Sequence, residues 1–186
     1  MTSDDIVQRI RLDVPEAPGI TITELLRWTM AEMCDFGNAW IHSGEPVVVA
    51  ANTLYAELAV PPNTEAVRVV EVLLDSRKME PGRDYLQTSP SRIEFTRAPK
   101  PSTLYGRIAV KPLPGSEMPA ELVSAHNDAL RHGTLHKLLM LPQPWQNTQL
   151  AVYHERLWNA GISRVKQLAS CGYQIGGARI RMRRFI

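Results

Sequence analysis

The apolar positions of this chain change period twice along its length. In "GITITELLRWTMAEMCDFGNAW", Leu25, Met33, Phe36 and Trp40 fall near one side at helical spacing. Thr21 can cap, Glu24 can close a capping box, and Ile20 and Leu25 stand at the two positions of a hydrophobic staple. The Gly and Pro of "SGEP" supply a stop. The pattern predicts a helix over about residues 22–42.

From residue 47 to 112 the period shortens. The runs "VVVA", "TLYAELAV", "AVRVVEVLLD", "RIEFT" and "TLYGRIAV" are rich in β-branched residues, and the turn-prone "PPNT", "EPGRD", "SPS" and "APKPS" separate them. They predict an inserted antiparallel sheet of modest size. Helical spacing returns in "MPAELVSAHNDALRHGTLHKLLM", with Pro119 suited to a first turn and a stripe of small residues at Ala125, Ala129 and Gly133. "LPQPW" interrupts it. Asn147 is a good N-cap for a further helix with apolar positions Leu150, Tyr153, Leu157, Val165 and Leu168. The predicted helices are 119–141 and 147–170. The last residues alternate apolar side chains with arginines and read as an extended arm over 171–186.

The expected architecture is therefore an α+β domain over residues 1–170: a bundle of about three main helices with an antiparallel sheet inserted at 47–112, followed by the arm. Pro142 and Pro144 would set the angle between two helices, Trp145 would brace it, and Asn147 would cap the second. These four form a predicted inter-helix hinge.

Charge sharpens the picture of the arm. The whole chain of 186 residues has a formal net charge of +2, but residues 156–186 hold seven Arg or Lys and no Asp or Glu. That leaves 14 basic against 19 acidic residues in the first 155, a net of −5. A basic tail on an acidic body points to an acidic partner surface, protein or nucleic acid. Three readings of the arm compete: a solvated tail, a phosphate-binding strip, or a strand that joins a neighbour's sheet. The apolar Ile175, Ile180, Met182, Phe185 and Ile186 favour docking, with Arg179, Ile180, Arg181, Met182, Arg183, Arg184 and Phe185 as the binding residues.

Candidate chemistry is sparse. With only Cys34 and Cys171 there is neither a disulfide framework nor a Cys-x-x-Cys spacing, and a reducing compartment is expected. "MTSDDIVQRIRLDV" lacks the apolar core of a secretion signal, and no apolar run approaches the roughly 20 residues that span a bilayer. His132 and His136 lie four apart without the glutamate and third ligand of a zinc site, and "HERLW" after Tyr153 lacks the second histidine of that motif. They read as polar-face or subunit-interface residues. No phosphate loop or nucleophile elbow is present. The expectation is a protein that is not an enzyme, with no cofactor and no metal. A hydrolase using His132, His136 or His154 is the competing enzymatic reading, and a nucleic-acid-binding module using Arg179, Arg181, Arg183 and Arg184 is another.

One long stretch, "PAELVSAHNDALRHGTLHKLLMLPQPWQNTQLAVYHERLWNAGISRVK", resembles the head-tail adaptor (connector or head-completion) proteins of tailed bacteriophages. Gly133, Leu135, Leu138, Leu139, Pro142, Trp145, Asn147, Leu150, Ala151, Tyr153, Gly161 and Ile162 carry the likeness. "MAEMCDFGNAW" and "YAELAVPPNTEAVRVVEVLLDSRKM" extend it over most of the chain. Thr148 and Ser76 depart from it, where proline and glycine are common. The resemblance implies a virion protein of the neck, assembled in the host cytoplasm as a ring, by implication twelvefold. Its partners would be the portal protein, further copies of itself and a tail-side component such as a nozzle or tail tube, with DNA passing through the lumen without sequence specificity. A more distal tail or neck protein is the nearest alternative.

Overall fold

The computed structural model describes residues 2–171, the last by its backbone alone. Among the described residues there are five helices: α1 (Ser3–Asp13), α2 (Gly19–Gly37), α3 (Ala120–Ala125), α4 (Asn127–Met140) and α5 (Thr148–Cys171). Between α2 and α3 lie eight strands: β1 (Ile41–Ser43), β2 (Val47–Val49), β3 (Tyr55–Glu57), β4 (Thr64–Leu74), β5 (Arg77–Lys78), β6 (Tyr85–Gln87), β7 (Arg92–Phe95) and β8 (Ser102–Pro112). The expected bundle of three helices with one inserted sheet is thus corrected to five helices and two antiparallel sheets. One sheet runs β1-β8-β4-β5 with β2 also on β8, and the other runs β3-β7-β6.

The correction has local causes. Residues 2–5 form a reciprocal cap, in which Thr2 Oγ1 accepts from Asp5 N at 3.2 Å and Asp5 Oδ2 accepts from Thr2 N at 2.7 Å. It starts α1, whose Ile6, Val7 and Ile10 enter the core. The capping box expected at Thr21 and Glu24 does not form. The helix begins earlier, after Pro18, Thr21 lies within its first turn, and Ile20 is 75% exposed, so no staple closes. It also ends earlier. Asn38 takes a left-handed conformation (φ 53°) and its N–H returns to Cys34 O, releasing Trp40 and Ile41 to the sheet. The single helix expected over 119–141 is two, parted at His126, whose φ and ψ of −125° and 23° leave the helical region.

The helical core gathers α1, α2, α4 and α5 around Ile10, Ile22, Leu26, Met33, Leu130, Leu135 and Leu138. A second core joins the two sheets through Val72, Ile93, Phe95, Leu104 and Ile108. Trp40 packs against both clusters and ties them together. At Gly106 of β8 a Cβ would lie 2.3 Å from Leu58 Cδ2 in the loop after β3, so any larger residue there would force the buried Leu58 side chain to move.

Candidate assembly surfaces

The segment that links α4 to α5 is tied back to α4. Asn147 N–H donates to Leu139 O at 3.0 Å, while Asn147 Oδ1 accepts from Leu150 N at 3.0 Å and caps α5. Pro142 and Pro144 are exposed at the turn. Trp145 is half-buried against the helical core, and its indole Nε1 has no hydrogen-bond partner among the described residues. The four predicted hinge residues are therefore neighbours within one short connection.

Beyond it, α4 and α5 lie antiparallel and nearly touch. A Cβ on Gly161 would meet Ala129 Cβ at 2.6 Å, and one on Gly133 would meet Thr29 Cγ2 at 2.6 Å and Trp158 Cε3 at 2.7 Å. Small residues on α4 and α5 are what permit this approach. The buried positions of α5 are Ala151, His154, Trp158, Ile162 and Val165, one residue out of step with the expected Leu150, Tyr153 and Leu157. Leu150 and Tyr153 are exposed instead. A small Ala151 and a polar His154 hold core positions that a count of apolar residues passes over.

His132 and His154 meet across this contact. Their Nδ1 atoms are 2.9 Å apart and their rings stack with centroids 5.1 Å apart and planes 24° from parallel. His136 Nδ1 lies 3.1 Å from Ala151 O. Among the described residues no group of three or more His, Cys, Asp or Glu side chains is placed to hold a metal ion. Cys34 is fully buried; burial, then the charge of Asp35, pushes its thiol up to about 12, so it stays a protonated, unreactive core group.

Two surfaces are available to partners. Trp28 is 61% exposed on α2 beside Lys137, whose ammonium sits 5.5 Å from the Trp28 ring and 5.4 Å from the buried Trp158 ring while pairing with Glu32 at 2.5 Å. Next to it, Leu113 and Met118 of the loop before α3 line a cleft of about 480 Å³. The other surface is an edge. β4 pairs along nine positions with β8, but on its opposite side β5 covers only Leu73 and Leu74. From Thr64 to Glu71 that side has no strand partner among the described residues. Two irregularities in register, at Val67 and Val70, bend this edge. Glu71 links the strands on both sides of β4: hydrogen bonds from Lys78 of β5 and then Arg107 of β8 hold its carboxyl below the usual range.

The arm residues Arg179, Ile180, Arg181, Met182, Arg183, Arg184 and Phe185 lie outside the described residues. No helix among the described residues is long and apolar enough to cross a membrane. No protein-family model matches the chain, and no curated protein matches it.

Proposed function

We propose that this chain is a structural head-tail adaptor of a tailed bacteriophage, assembling as a ring of identical copies, twelve by the resemblance, beneath the portal. It joins the capsid to a tail-side component and surrounds the channel through which DNA leaves. It works by contact and not by chemistry. The observation that supports assembly is the open edge of β4: eight residues of sheet backbone, four of them valine or threonine, with no strand paired on one side among the described residues. Such an edge is satisfied by a strand from another chain, and a ring supplies a neighbour to every copy. The adaptor role itself rests on the resemblance of residues 119–166 and the sequences before it.

Sedimentation of the purified chain with the portal protein of the same genome tests the reading. Val70→Lys places a charge at a bulge residue that has no partner on β8. The wild-type chain should sediment with the portal as a ring-sized assembly, and the variant should remain folded by thermal melting yet lose self-association. Portal-bound rings of unaltered size in the variant would remove β4 from the subunit contact; no association of the wild-type chain with portal at low or high salt would overturn the adaptor reading.

A further inference from the structure

We infer that the stacked pair His132 and His154 is a proton-sensitive clasp that holds α4 against α5 at neutral pH and releases it in mild acid. The geometry sets the rule. With the two Nδ1 atoms 2.9 Å apart, one nitrogen must carry a hydrogen and donate it, and the other must offer a lone pair. Two neutral rings meet this condition. One imidazolium facing one neutral ring also meets it, because the added proton sits on the far Nε2 of the donor ring. A second proton has to go on the accepting Nδ1, and two N–H groups then face each other with two positive charges in stacked rings.

The surroundings oppose that charge. His154 is only 8% exposed, so an imidazolium there loses most of its hydration. Burial holds both histidines below their ordinary value of 6.5, aided by Arg131 at His132 and by His132 and then Arg131 at His154. The charged and titratable groups facing the pair are Arg131, Asp128 and His136 on α4, Asp13 on α1, and Tyr153 on α5, whose ring meets His154 edge-on with centroids 5.2 Å apart. Asp128 and then Asp13 favour protonation of His132, and Asp13 favours that of His154, but the Asp13 carboxylate is already engaged with Arg131 at 2.6 Å. Among the described residues no carboxylate makes a hydrogen bond to either ring, whose one ring–nitrogen hydrogen bond is the one between them.

The direction of the pH effect follows. The unfolded chain takes up protons at these rings near pH 6.5, whereas the folded chain resists until lower pH, so stability is complete above about 6.5 and declines as pH falls below it. The place of the pair matters because it sits on the same two helices that the Pro142–Asn147 connection joins. Loss of the hydrogen bond there would weaken the α4–α5 contact, which Ala151, Trp158, Ile162 and Val165 of α5 otherwise hold through the helical core.

The test uses the full chain labelled at its histidine rings. Nitrogen and carbon shifts followed by NMR from pH 8 to pH 5 should show His132 and His154 titrating below 6.5 as a coupled pair, with one Nδ1 protonated and one bare at pH 7.5. The thermal midpoint of the wild-type chain should fall between pH 7.5 and 5.5 by at least about 2 °C more than that of His132→Gln, which keeps a hydrogen-bonding group and cannot titrate. Equal pH dependence of the two proteins, or ring signals that titrate independently at or above 6.5, would overturn the clasp. Should the variant fail to fold, the NMR titration of the wild-type chain decides alone.

Discussion

Gly133 shows how much of this protein is settled by single side chains. The absence of a Cβ there lets Trp158 lie flat on α4 while Thr29 of α2 closes from the other side, and Thr29 itself is fixed by donating to Leu25 O at 2.7 Å. Neither neighbour is the free end of a flexible chain, so neither can move aside cheaply. Gly133→Ala should therefore destabilise the fold by about 1–3 kcal/mol, the usual cost of overpacking, despite the better helix propensity of alanine. A urea melt monitored by tryptophan fluorescence checks this; an unchanged or raised midpoint would show that the three helices are less tightly packed than their distances indicate. The glycine was legible in sequence as part of a small-residue stripe, but its partners were not, since Thr29 is 104 positions away and belongs to a helix with no spacing relation to α4. The same holds for Trp28 and Trp158, which share one lysine although one is exposed and the other buried.

At the scale of the element, period and turn chemistry located all five β-prone runs, and Asn147 was readable as a cap because its side chain acts within three residues. What local pattern missed was decided by tertiary contact. β1 was absorbed into the expected helix, since Trp40 continues the helical spacing and only the left-handed Asn38 ends it. The short β5 and β6 exist because β4 and β7 offer them partners. α1 has a local Thr-x-x-Asp start but few apolar residues, so its weight in the core lies in Ile6, Val7 and Ile10. Ile10 is fully buried between α2 and α4. Ile10→Ala should cost about 2–5 kcal/mol, the range for truncating a buried isoleucine, while Leu12→Ala on the exposed side of the same helix should change little. Equal melts of the two variants would mean that α1 does not dock.

For the whole molecule, the claim is that a helical body, two sheets and a basic arm serve assembly. The first 155 residues are acidic and the remainder basic. Under the proposed adaptor role, a net charge of −5 on the first 155 residues would give passing DNA no broad surface to cling to, and the arginines near the end of the sequence would suit an acidic protein partner. The arm is legible in sequence only as composition and alternation, and its proposed docking residues lie outside the described residues. On the proposed reading a neighbouring copy pairs with the side of β4 that has no strand partner among the described residues, and the twelvefold closure rests on the resemblance alone. The measurement that bears most directly on this is electron microscopy of the chain mixed with the portal protein of its own genome, alongside the chain lacking residues 174–186. The account predicts a ring stacked coaxially on the portal for the full chain, and for the truncated chain a folded protein that no longer attaches. Absence of any ring on the portal with the full chain, or attachment undiminished by the truncation, would contradict it.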